Sequence, residues 1–356
     1  MSHANIPVFI PHRGCPNTCV FCNQRAISGC VGGEDAAALV SMATRTIEAA
    51  LATRPVGGDT EIAYFGGSFT GIDPAAMTAL LDLAQRYVDD GRVRAIRLST
   101  RPDYVGEAVL DTLACYAVGT VELGVQSLDD GVLAAAQRGH TAAQALDAIT
   151  RLRARGFSVV GQVMLGLPGS SAEAERQTAR RLCAAGVDAV RLYPTLVLRG
   201  TALADRLAEG RYRPLTLEEA VSRTADLLVL FNAAGIPVLR IGLQETETLP
   251  DAVLAGPRHP AFGELAMGEV FRRRMEEALC ETDCVGADVV IGVPRGRLSA
   301  AVGQKKRNLL ELRQKFGLKS LKMIEMDILL GYNIKIAEME CEVSDDTSGA
   351  KASQTL

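Results

Sequence analysis

HRGCPNTCVFCNQ, residues 12–24, places three cysteines within eight positions. Cys15, Cys19 and Cys22 follow IPVFIP (6–11), a short apolar run with strand character. Gly14 and Pro16 interrupt regular structure there, so the chain can curl around a group held by the thiols. Three thiolates on a tight loop suit three corners of a cubane [4Fe–4S] cluster, leaving the fourth iron without a protein ligand. Three other assignments stay open at this point. His12 can complete a Cys3His zinc site. Cys30 can cap the fourth iron and close an electron-transfer cluster. The thiols can also be incidental buried cysteines.

Outward from this loop, strand and helix patterns alternate to about residue 240. EIAYF (61–65), AIRLS (95–99), TVELGV (120–125), FSVVGQVML (157–165) and DAVRLYP (188–194) read as buried strands. Helices fill the gaps. Asp73-Pro74 offers an N-cap with proline at the first helical position, and Gly91 can stop that helix. Thr141 with Gln144, and Ser170 with Glu173, fit capping boxes, and Gly186 ends the second of these helices. Six strands separated by helices imply parallel neighbours with right-handed crossovers, in a barrel or partly open barrel. A loop that follows a strand then lies on the catalytic face.

After about residue 250 the rhythm changes. LPDAVLAGPRHPAFGE reads as a connector, 262–279 as a helix, 287–293 as a strand, 297–316 as a helix and 321–336 as one or two strands. The expected division is a core over 1–250, a helical connector over 251–284, a small basic α+β domain over 285–340 and a frayed polar tail over 341–356. Within residues 293–322 nine basic side chains face one acid, Glu311, in a chain whose net charge is −4. Such a basic face suits a polyanion, although charge runs are often only solvated surface. AAVGQKKRNLLELRQKFG loosely resembles the helix–loop–helix of KH RNA-binding modules, which makes Lys305, Lys306 and Arg307 candidate RNA contacts. The second glycine of the usual G-x-x-G is absent, because Lys306 stands three positions after Gly303. Cys280 and Cys284 in CETDC are too few for a further metal site.

Composition is that of a globular protein, with 48% hydrophobic and 22% charged residues. No apolar run of about eighteen residues and no secretory pattern appears, so a cytoplasmic location without membrane attachment is expected. Nine cysteines make a poor disulfide framework, and clustered cytosolic cysteines more often bind metals.

The sequence resembles the radical S-adenosylmethionine (SAM) superfamily over roughly residues 6–250. The likeness rests on CxxxCxxC with Phe21 before its last cysteine, then YFGGSFT (64–70), LSTRPD (98–103), ELGVQS (122–127), RGHT (138–141) and GQVMLGLPG (161–169) in order. STRPDY (99–104) and RLYPTLVLRGTAL (191–203) look particularly like the radical SAM core of the Elongator catalytic subunit. The resemblance implies a partial (β/α)6 barrel, a [4Fe–4S] cluster on Cys15, Cys19 and Cys22, and SAM contacts at Phe21, Gly66, Gly67, Gln126, Arg138 and Gln162. Ser99 stands where relatives often place a glutamate of the SAM site. Tyr193, Thr195 and Arg199 are then candidate substrate-facing residues, with packing as the alternative role of Tyr193. By the same likeness an electron from a donor such as a ferredoxin or flavodoxin cleaves SAM, and a 5′-deoxyadenosyl radical takes hydrogen from a substrate. The expected substrate is RNA, with tRNA as the class the likeness suggests. A small-molecule substrate, or an RNA-binding adaptor with a structural metal, are the alternatives. No acetyl-CoA-binding pattern follows the core, so acetyl transfer is not expected from the likeness.

Overall fold

Seven short strands, each running the same way as the one before it, build the first half of the molecule. The computed structural model of the chain describes residues 4–10, 15, 19–23, 35–53, 59–243 and 249–340. His12, Cys30 and the tail over 341–356 lie outside the described residues. The first six strands are β1 (Ala4–Phe9), β2 (Thr60–Phe65), β3 (Ala95–Thr100), β4 (Val118–Gln126), β5 (Ser158–Leu165) and β6 (Ala189–Pro194). The helices α1 (Ala36–Leu51), α2 (Pro74–Asp89), α3 (Glu107–Ala114), α4 (Asp130–Ala135), α5 (Ala142–Ala154) and α6 (Ala172–Ala185) fill the connections. Beyond them come β7 (Val197–Leu198), α7 (Ala202–Ala208), α8 (Leu217–Ala233), β8 (Val238–Ile241), α9 (Leu249–Ala252) and β9 (Val253–Ala255). The sheet order is β1-β2-β3-β4-β5-β6-β8, all parallel, which is the curled partial barrel of the radical SAM type.

The helix signals act as their chemistry requires. Asp73 accepts from Ala76 N, and Thr141 and Gln144 form the reciprocal capping box. The cap of α6 is Ser171, one residue later than expected. Ser170 instead donates to the buried carboxylate of Glu175, which also accepts from Gly166 N at 2.7 Å. The stretch expected as a connector contains α9 and β9, and β9 pairs antiparallel with β7. The seventh sheet strand, β8, is not among the expected strands; it has four residues, none of them buried.

The two faces of the sheet differ in kind. Ile6, Ile62, Tyr64, Leu98, Val121 and Leu123 are fully buried, and Tyr64 donates to Leu80 O of α2 at 2.6 Å, so this face lies under the helices. Each such side chain contributes about 1.5–3 kcal/mol of burial. The opposite face carries Glu61, Arg97, Glu122, Gln162 and Arg191, all within strands.

Contacts divide the chain into two compact units, residues 1–216 with 236–258, and residues 217–235 with 259–356. The second unit holds α8, α10 (Phe262–Cys280), β10 (Asp288–Pro294), α11 (Leu298–Val302), α12 (Arg307–Lys315), β11 (Ser320–Met326) and β12 (Lys335–Glu340). β10 is central, parallel to β11 and antiparallel to β12. The single helix expected over 297–316 is broken. Gly303, at φ +76°, ends α11, and a turn over Gln304–Lys306 leads into α12. Asn308 fixes the break by donating to Gly268 O and Ala301 O.

Candidate functional site

The cysteine loop is pinned to the C-terminal end of the sheet through Val20. Val20 donates to Ala136 O and accepts from Leu203 N, and packs with Val132, Leu167 and Val197. Phe21 lies partly buried against this cluster. Cys22 N closes a turn on Cys19 O at 3.0 Å. Cys19 is buried, Cys22 is half-buried and Cys15 is exposed. Among the described residues no three His, Cys, Asp or Glu side chains already converge as a closed metal-ligating set.

Arg138 meets the loop directly. Its Nη1 donates to Cys19 Sγ at 3.1 Å and its Nη2 to Gly124 O at 2.6 Å. Gly66 and Gly67 turn the chain after β2 at φ +87° and +66°. A Cβ on Gly66 would come within 3.0 Å of Ile10 O, so only glycine lets β1 and this turn approach so closely. Ser68, Thr100 and Thr70 join hydroxyl to hydroxyl at 2.7 and 2.5 Å, which ties the glycine turn to the end of β3. Gln126 ends β4 at φ +64°.

Gln162 and Ser99 lie deeper in the half-barrel. Gln162 Nε2 donates to Glu122 Oε2 at 3.1 Å, and Ser99 is the register partner of Glu122. Glu122 has no exposure and also accepts from Arg97 at 3.0 Å and Arg191 at 2.8 Å, while Arg97 reaches Glu61 at 2.7 Å. Tyr193 follows Arg191 on the same face and bonds to it, and burial pushes its phenol up. Thr195 is buried and spends its hydroxyl on Leu165 O. Arg199 is exposed; its backbone N donates to Ala252 O and its carbonyl accepts from the Asn23 side chain. The Arg199 carbonyl thus lies beside the cysteine loop, since Asn23 directly follows Cys22. In the second unit, Lys305 and Lys306 are exposed on the turn before α12, and Arg307 is exposed as its first residue.

Sequence reasoning passed over Arg97, Glu122, Arg191, Arg101 and His140. The signal was present: each of the first three is a lone charge at one parity of an otherwise apolar strand. His140 is buried, and burial together with Arg138 pushes its imidazole down to about 4.

Residues 9–182 match the radical SAM superfamily model, and residues 187–273 match the radical SAM C-terminal domain. The chain belongs to the radical SAM superfamily. Members of this superfamily use a [4Fe–4S] cluster and SAM. An uncharacterized protein of Methanocaldococcus jannaschii is 30% identical over 55% of this radical SAM chain and 60% of its own length. A tRNA uridine(34) acetyltransferase of Dehalococcoides mccartyi is 37% identical over 37% of this chain and 30% of its own. The human Elongator complex protein 3 is 30% identical over 49% of this chain and 32% of its own. The chain thus spans at most 60% of the length of these relatives. An N-terminally deleted Elp3 of Methanocaldococcus infernus superposes on 78% of this chain and 64% of its own, with TM-score 0.57 at 20% identity, which shows a shared fold. No helix among the described residues is long and apolar enough to cross a membrane.

The residues present fit the superfamily's cofactors. Three thiols supply the soft donors of an iron–sulfur site. Gln126 Oε1, Arg138 Nε and Arg101 Nη1 are buried polar atoms without a hydrogen-bond partner among the described residues, at the same end of the sheet. Such unsatisfied groups are costly in a finished interior and are the mark of a site that receives a ligand.

Proposed function

We propose that this chain is a radical SAM enzyme acting on RNA, with Cys15, Cys19 and Cys22 as cluster ligands and Gly66, Gly67, Gln126 and Arg138 as the SAM cradle. The observation that carries the reading is the guanidinium of Arg138 on Cys19 Sγ, beside a glycine turn too tight for a Cβ, at the C-terminal end of a parallel sheet. When bound, the cluster and SAM supply one-electron cleavage of the sulfonium and a 5′-deoxyadenosyl radical. The chain itself holds the loop through Val20, orients polar groups through Gln126 and Arg138, and floors the site with the Glu122 network. Phe21 and Tyr193 add aromatic walls. A ferredoxin or flavodoxin is the proposed electron donor.

The RNA substrate is supported by relatives named as tRNA uridine(34) acetyltransferases and by the exposed Lys305 and Lys306. Anaerobic reconstitution followed by measurement of 5′-deoxyadenosine from SAM tests the proposal. Wild type is expected to release it, with stimulation by the cognate RNA. The triple variant Cys15→Ala, Cys19→Ala, Cys22→Ala is expected to lose both iron and release. Bound zinc without iron, and no release, would sink the radical reading.

A further inference from the structure

Arg101 stands one residue past β3, where no sequence expectation gave it a role. It is 2% exposed. Its Nε and Nη2 fork onto Asp103 at 2.9 and 2.8 Å, and Nη2 also donates to Arg138 O. Its backbone N donates to Ser68 Oγ at 3.2 Å, so the hydroxyl web around Thr100 fixes the main chain as well. One nitrogen, Nη1, is buried and has no hydrogen-bond partner among the described residues. Burial opposes the Arg101 charge, and the hydrogen-bonded carboxylate of Asp103 outweighs it, so the guanidinium is held above its ordinary value. A guanidinium clamped on one edge, with a spare donor, and bonded to the main chain of the arginine that donates to Cys19 Sγ, is more than the ion pair with Asp103 requires. Leaving that donor unsatisfied costs about 1–3 kcal/mol unless something else receives it.

We propose that Arg101 is a positioning residue for the cluster loop: held by Asp103, it supplies with Arg138 the fixed positive charge facing the cysteine thiolates and so sets the reduction potential of the group they carry. The inference rests on the cluster reading above. Reduction adds negative charge to an already anionic thiolate-bound centre, so a desolvated cation beside it favours the reduced form. Outer-shell charges and hydrogen bonds to sulfur are established levers on such centres. Arg138 contacts sulfur and its own backbone carbonyl is bound by Arg101, so the two arginines form one braced unit.

The test is an EPR-monitored redox titration of the reconstituted full chain and of R101Q, R101K and D103N, with iron content measured alongside. R101Q is expected to lower the potential, cutting the reduced-to-oxidised ratio at the wild-type midpoint by about tenfold, ~59 mV for a one-electron couple. D103N is expected to move it the opposite way, because it removes a negative charge, and R101K is expected to stay near wild type. Opposite signs are the outcome that lost packing cannot produce. Equal potentials at equal iron content, or shifts of the same sign in R101Q and D103N, would overturn the proposal and leave Arg101 an internal strut. If R101Q does not fold, D103N decides: a raised potential supports the proposal and an unmoved one overturns it. A wild-type protein with no reducible [4Fe–4S] signal would instead remove the cluster reading beneath it.

Discussion

The arginines at the cysteine end of the sheet and the lysines of the C-terminal turn carry the same charge in opposite settings. Arg101 and Arg138 are buried and braced by Asp103, Gly124 O and each other. Lys305 and Lys306 are exposed and make no ion pair among the described residues. A buried, oriented cation acts at low dielectric on one partner and is little affected by salt. An exposed cation on a flexible stem acts on any polyanion and is screened. The first arrangement suits control of a bound cofactor, and the second suits capture of a long charged chain.

The largest effect that can break this contrast lies in the half-barrel floor. Glu122→Ala leaves buried Arg97 and half-buried Arg191 without their shared carboxylate. Losing one partner of such a network costs about 3–5 kcal/mol. A urea titration is expected to show that loss, whereas Glu48→Ala, which breaks the exposed pair with Arg92, is expected to leave the midpoint almost unmoved. Equal responses would mean that burial does not separate the two classes of charge in this chain.

His140 gives a smaller effect and a sign. It is neutral when folded, with Arg138, Arg101 and Asp103 as its charged neighbours, and its folded value of about 4 lies below the ordinary value of 6.5. Between those values the unfolded chain binds the proton and the folded chain does not. Stability from this group therefore falls as pH drops from 6.5 to 4, by about 3 kcal/mol at most, and is constant above that window. His140→Gln is expected to flatten that part of the curve of unfolding free energy against pH. Superimposable curves for variant and wild type would show that the imidazole is free to take a proton in place, and that the buried cations exert no such field.

Much of the fold was legible because its signals are local. Six strands announced themselves as apolar runs between caps, and Asp73, Thr141 and Gly186 act at the helix ends where side-chain chemistry puts them. What escaped depends on distance in sequence. Ser171 displaces Ser170 as a cap because Glu175, needed at Gly166, draws the Ser170 hydroxyl away. Glu122, Arg97 and Arg191 come from three strands, and each alone looks like a minor blemish in an apolar segment. The cysteine loop and glycine turn were visible as motifs, but the hold of Arg101 on Arg138 joins residues 37 positions apart. The turn at Gly303 was hidden for another reason: Lys305 and Lys306 sit at φ +51° and +61°, where lysine is unfavourable and only tertiary structure can hold it.

That strained turn allows the smallest and most discriminating test of the contrast. Lys306 stands where a KH-type loop carries its second glycine, and it is both a free charge and a left-handed residue. Lys306→Gly is expected to relieve backbone strain and raise stability by about 1 kcal/mol, while weakening binding to a single-stranded RNA probe. Lys305→Gln with Lys306→Gln is expected to weaken binding evenly across sequences and to reduce the slope of log K against log salt by about 1 to 2. R101Q is expected to leave that slope unchanged, because a buried cation meets no phosphate. If the slope is the same in the double variant as in wild type, the lysines contact no backbone phosphate and the basic turn is only solvated surface. If Lys306→Gly keeps full RNA affinity while the double glutamine variant loses it, the charge at Lys305 alone carries the contact. In that case the left-handed turn matters only as the frame that projects Lys305 outward.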